Sequence, residues 1–119
     1  MTNPKFNTLP IVDWQLGLKL TGNKRELAEE MLSALIKTLP EEVSQLSQLK
    51  TMGEDKKLLQ QLHRLHGAVC YCGLPRLKQA ISTLENALKK GDNKEIPLLF
   101  DQFKQEVVLL LNETGFLLT

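Results

Sequence analysis

The chain has 119 residues, 42% of them hydrophobic and 24% charged, with 15 basic side chains against 14 acidic ones. One domain of this length buries roughly two-thirds of its unfolded surface, enough to fold without a disulfide or a structural metal. The near-neutral balance, the absence of a basic block and the few aromatic residues argue against nucleic acid as a partner, and no apolar run is long enough to span a membrane.

Residues 1–10 contain Pro4 and Pro10 and show no helical pattern, so they are expected to be a tail or the end of a linker, with the domain proper over residues 11–119. They also lack the charged-then-apolar order of a secretory signal. Asp13 is a good N-cap for a first short helix that carries Trp14, Leu16, Leu18 and Leu20 and stops at Thr21-Gly22. Asn23-Lys24-Arg25-Glu26 resembles a capping box. Behind it Leu27, Met31, Leu35, Leu39, Val43 and Leu46 recur at helical spacing. Pro40 interrupts this stripe, and a single kinked helix ending near Lys50 is expected.

After a turn at Met52-Gly53, a strongly amphipathic helix is predicted from Asp55 to Cys72, with Leu58, Leu62, Leu65 and Val69 on its core face and Gly73 as its C-terminal cap. Pro75 suits the first turn of the next helix, which carries Leu77, Ile81, Leu84 and Leu88 to Gly91. So short a connection makes these two helices antiparallel neighbours. A last helix begins between Asp92 and Pro97 and carries Phe100, Phe103, Val107, Leu110 and Leu111 to a stop near Gly115. The expected fold is all-α: an antiparallel four-helix bundle with an additional short N-terminal helix.

His63 and His66 are the only histidines, and with Gly67 and Cys70 they share one stripe of the third main helix. The stripe lies about a quarter turn from the core face, so His63 borders both core and solvent. A glycine inside a helix costs about 1 kcal/mol against alanine, and Gly67, one turn after His63, uncovers the imidazole. There is no Gly-rich phosphate loop, no Gly-x-Ser-x-Gly elbow and no His-Glu-x-x-His pair, so the chain has no ATP site of its own. Cys70 and Cys72, two apart on one helix, point to different sides and cannot bridge each other, which fits a reducing, cytoplasmic setting.

His63-Arg64-Leu65-His66-Gly67, followed by Gly73-Leu74 and Leu77, resembles the motif of histidine-containing phosphotransfer (HPt) domains. With Leu9 to Trp14 before it and Tyr71-Cys72-Gly73-Leu74-Pro75-Arg76 after it, the chain looks most similar to the C-terminal domain of BarA-type hybrid sensor kinases. The resemblance implies a phosphorelay intermediate of two-component signalling. His63 would accept a phosphoryl group from a receiver-domain aspartate and pass it to another receiver. Glu85, at the position where similar domains carry Gln or Glu, would orient the imidazole. His66 stands where Lys or Arg is commoner, a titratable replacement for a fixed cation. Lys56, Leu59, Gln60, Arg64 and Cys70 are the expected receiver-docking residues.

The implied partners are receiver domains that bring their own Mg²⁺. The domain itself is expected to be a monomer with no cofactor, no metal and no membrane contact, whether free-standing or the end of a kinase anchored in the inner membrane. Two other readings remain open at this level: a helical protein-interaction bundle without chemistry, and a metal-binding bundle using His63, His66 and Cys70. The dimerising hairpin of a histidine kinase fits poorly, because Arg64 follows His63 where that hairpin usually has an acidic residue.

Overall fold

The computed structural model describes residues 9–115; most of the expected N-terminal tail, residues 1–8, and residues 116–119 lie outside the described residues. Five helices follow in order: α1 (Trp14–Leu20), α2 (Arg25–Thr51), α3 (Asp55–Val69), α4 (Pro75–Lys90) and α5 (Ile96–Thr114). Helices α2 to α5 each pack on their chain neighbours, and α2 also packs on α5, which closes the four-helix ring. Among the described residues there is no strand. The expected all-α bundle with its extra short helix is what forms.

α2 has 27 residues and runs unbroken through Pro40. Proline removes one backbone donor, but Pro40 lies on the exposed side of the helix, where water can satisfy the freed carbonyl. Its buried positions are Leu32, Leu35, Ile36, Leu39 and Leu46, while Leu27, expected in the stripe, is exposed. From α3 come Leu58, Leu62, Leu65 and Val69, from α4 Leu77, Ile81 and Leu84, and from α5 Phe100, Phe103, Val107 and Leu110. Burying each large apolar side chain stabilises the fold by about 1.5–3 kcal/mol. The Phe100 and Phe103 rings meet edge-on, 5.9 Å between centroids.

Two local expectations are corrected, and α1 docks in a way its sequence does not announce. The capping box at the start of α2 does not form: Lys24 is the N-cap and makes no side-chain cap bond. Asn23 is instead used to end α1, with φ at 65° and its N–H donating to the Leu18 carbonyl. The histidine helix stops at Val69, not Cys72, because Tyr71 and Cys72 donate to carbonyls three residues back, tightening the chain ahead of the left-handed Gly73. Finally, α1 does not bury its leucine row. Trp14, Leu16 and Leu20 are exposed, and the helix docks through Gly17 and Thr21.

That docking is tight. The Asp13 N–H donates to the Gly73 carbonyl at 2.8 Å, while the Asp13 side chain caps α1 through the Leu16 N–H at 3.0 Å. The reversal between α3 and α4 is thereby clamped by α1. A buried ion pair joins the other end of this corner to α5: Arg76 donates to Glu106 at 2.7 Å, both side chains largely buried.

Candidate functional site

The site is built where α3 faces α4. Leu62 and Leu65 hold α3 against the core, and their fully buried side chains fix the rotation that puts His63 outward and His66 at the seam. On α4, Leu84 is buried in the core and Glu85 follows it into the interface. The His63 side chain keeps 75% of its exposure, His66 keeps 20%, and Glu85 only 6%. An exposed ring, a half-buried ring and a buried carboxylate therefore meet on one face.

Glu85 joins the two histidines. Its Oε2 lies 3.2 Å from Nδ1 of His63, and its Oε1 lies 2.7 Å from Nδ1 of His66. The rings stand edge-to-face with centroids 6.4 Å apart. A carboxylate can only accept, so each Nδ1 donates and each Nε2 keeps its lone pair when the ring is neutral. For the buried Glu85 these two donors replace the water it has lost. For His63 the contact fixes the tautomer and aims the unprotonated nitrogen at solvent.

Gly67, exposed on α3 one turn beyond His63, has open space where a side chain would start: a Cβ built there meets nothing within 4 Å. No packing partner inside the domain requires this glycine. Along the same stripe, Lys56 and Gln60 are exposed and Leu59 and Cys70 are half-buried, a mixed surface around the imidazole. Arg64 faces elsewhere. It lines a groove between α2 and α3 with Met31, Glu42, Leu65 and Tyr71. There burial raises the Glu42 carboxyl above its ordinary range and the Arg64 guanidinium partly offsets the effect.

The two cysteines differ. Both are free thiols, Cys70 half-buried and Cys72 buried. Burial pushes the Cys72 thiol up to about 11, and its Sγ contacts the Ala68 carbonyl at 3.5 Å. The thiolate is the reactive form, so Cys72 stays inert near neutrality and becomes reactive only as pH rises towards that value. Iodoacetamide at neutral pH is expected to alkylate Cys70 well ahead of Cys72, read by peptide mass spectrometry. Equal labelling of both would contradict the buried placement.

The family resemblance pairs His63 with Glu85 and makes His66 a titratable replacement for a fixed cation, with no link to Glu85. The structure gives it the shorter contact with Glu85. The signal was present in the spacing: two histidines three apart on α3 can both reach a carboxylate on the antiparallel neighbour, which has two oxygens to offer. Cys70 is absent from the group formed by His63, His66 and Glu85, whose ligand-type atoms all lie within 4.8 Å of one another. The donor set expected for a metal-binding bundle thus has Glu85 in the place of Cys70. The Arg76–Glu106 pair had no sequence signal, since thirty residues separate its members.

No helix among the described residues is long and apolar enough to cross a membrane. Comparison with known proteins agrees with the geometry. The family model described as Hpt domain matches residues 30–113. The sensor histidine kinase GacS of Pseudomonas protegens is 34% identical over 91 residues, 76% of this chain and 10% of that protein. The signal transduction histidine-protein kinase BarA of Escherichia coli K12 is 33% identical over 119 residues, 95% of this chain and 12% of that protein. The chain thus spans about a tenth of the length of these curated relatives. The crystal structure of the HPT domain from a Shewanella sensor hybrid histidine kinase superposes with a TM-score of 0.70 at 30% identity, covering 88% of this chain and 94% of that one. With the bundle, the exposed histidine and the family match in agreement, the chain belongs to the Hpt domain family, the phosphorelay intermediates of two-component signalling.

Proposed function

We propose that His63 is the phosphoacceptor, that its Nε2 attacks the phosphoryl group of a receiver-domain phospho-aspartate, and that the group then passes to a second receiver aspartate. The observation that carries this is the 3.2 Å contact between His63 Nδ1 and buried Glu85 on an otherwise exposed ring. In the transfer the Nε2–phosphorus bond forms as the bond from phosphorus to the aspartyl oxygen breaks, and the receiver carboxylate leaves. The loose transition state demands alignment and charge stabilisation more than covalent help, so the domain chiefly presents a nucleophile. The Mg²⁺ and the acidic pocket belong to the receiver, and the domain acts as a cytoplasmic monomer.

Glu85 is a positioning residue, holding the His63 tautomer. Gly67 lets the receiver close on the ring, and Lys56, Leu59, Gln60 and Cys70 surround the contact, while Arg64 faces the α2–α3 groove instead. Gly67→Ala separates access from stability. Nothing inside the domain opposes the new methyl, so the variant is expected to gain up to about 1 kcal/mol in urea denaturation while its transfer from a receiver slows. A variant that is both stabilised and fully active would remove the access role. The central reading is tested by incubating the domain with a phosphorylated receiver and mapping the acid-labile phosphate. Label at any residue other than His63 overturns it.

A further inference from the structure

Two imidazole nitrogens facing the two oxygens of one carboxylate are also a cation-binding set. In a tetrahedral zinc site with bonds of 2.0–2.1 Å, ligand atoms stand roughly 3.3 Å apart. Here each Nδ1 lies against a different Glu85 oxygen, His63 at 3.2 Å from Oε2 and His66 at 2.7 Å from Oε1, and one ligand atom from each of the three residues lies within 4.8 Å of the others. Small side-chain adjustments bring the three donors onto one ion. The exposed side of His63 leaves the remaining position to water.

Two features make this arrangement more than a chance grouping. Glu85 is buried and its two oxygens already face the two imidazoles, so the anionic ligand lies beside the other two before any ion arrives. Residue 66 is histidine, which supplies a ligand, where a lysine or arginine would repel the cation. Imidazole with carboxylate suits zinc and its neighbours in the transition series, whereas Mg²⁺ prefers an all-oxygen shell and does not compete for it.

We propose that His63, His66 and Glu85 form a binding site for a divalent transition-metal ion of the zinc class, and that this ion and phosphorylation of His63 exclude one another. The second half rests on the phosphoacceptor reading. A metal on Nδ1 of His63 displaces the proton there, and solvent returns a proton to Nε2, so the neutral ring loses the lone pair that would attack phosphorus. The ion also takes Glu85 away from its positioning task. By reciprocity, phosphorylated His63 weakens metal binding by the same factor that the metal weakens phosphorylation.

The test is a calorimetric titration of the untagged domain with ZnCl₂ at neutral pH. The expected result is one ion per chain with micromolar affinity, at least about tenfold weaker in His66→Gln and in His63→Gln, and unchanged in Cys70→Ser. Circular dichroism confirms that each variant is folded, and the exposure of His63 makes His63→Gln the safe one. Absence of one-to-one binding, or binding undiminished in folded His66→Gln, overturns the site.

A second measurement avoids the receiver and its Mg²⁺. Phosphoramidate is a small donor from which Nε2 would take the phosphoryl group as ammonia leaves. Saturating Zn²⁺ is expected to slow that labelling of His63, and labelling at an unchanged rate overturns the exclusion. If His63 takes no label even without zinc, the phosphoacceptor reading fails, while the calorimetry still decides the metal site.

Discussion

Replacing His63 with Gln is expected to abolish phosphoryl acceptance while leaving the thermal midpoint nearly unchanged. Gln can still approach Glu85 but has no ring nitrogen with a free lone pair, so loss of transfer is complete rather than partial. Stability should hold because the His63 side chain is 75% exposed and substitutions at such positions usually move stability by no more than about 0.5 kcal/mol. Glu85 also keeps its 2.7 Å contact with His66. A label transferred from a phosphorylated receiver should vanish in His63→Gln, and His66→Gln should still carry it. Persistent label on His63→Gln with a native melting curve would rule out His63 as the acceptor.

The second large effect concerns stability at the α3–α4 reversal. Gly73 has φ at 65°, and a Cβ added there would stand 2.5 Å from the Asp13 carbonyl oxygen and 2.7 Å from the Gly17 nitrogen. Both obstacles are backbone and cannot swing aside. Gly73→Ala therefore combines a left-handed conformation, at about 1–2 kcal/mol, with overpacking at about 1–3 kcal/mol. A loss of about 3 kcal/mol is expected in urea denaturation, a large share of the stability of a domain this size. Gly17→Ala is the control. Its Cβ would meet the Cys72 carbonyl at an ordinary 3.5 Å, and alanine favours the helix, so it should be neutral or mildly stabilising. A Gly73→Ala midpoint within about 1 kcal/mol of the parent chain would show that α1 is not clamped as described.

The helices were readable because their signals are local. Gly91 at φ 68° and Pro75 at the first helical position mark the limits of α4, and the leucines between them keep the period. Asp13 announced α1 for the same reason, through a cap bond three residues long. What the sequence could not show depends on distant partners. Trp14, Leu16, Leu18 and Leu20 of α1 fall at every second residue and so spread around the helix, which docks instead by its smallest residue, Gly17, against the backbone of Cys72 and Gly73. Asn23 looked like the start of a helix when its backbone was needed to finish the previous one.

The functional site divides along the same line. The position of His63 at the edge of the apolar face follows from periodicity alone, and its chemistry from the family motif that surrounds it. The preference of Glu85 for His66 depends on how far α4 slides along α3, a packing outcome set by Leu62, Leu65, Ile81 and Leu84. Arg64, adjacent to His63 in sequence, was drawn towards Glu42 on α2 by the turn of the helix.

The double contact of Glu85 bears on how far the nucleophile can travel. A buried carboxylate with one donor would tether that donor, since swinging it away would strand the charge at a cost of about 1–3 kcal/mol or more. Glu85 has two, and the shorter belongs to the ring that stays at the seam. Were an incoming aspartyl phosphate to draw the His63 ring a little outward, His66 would keep the carboxylate partnered. The second histidine thus lowers the cost of small adjustments of the first.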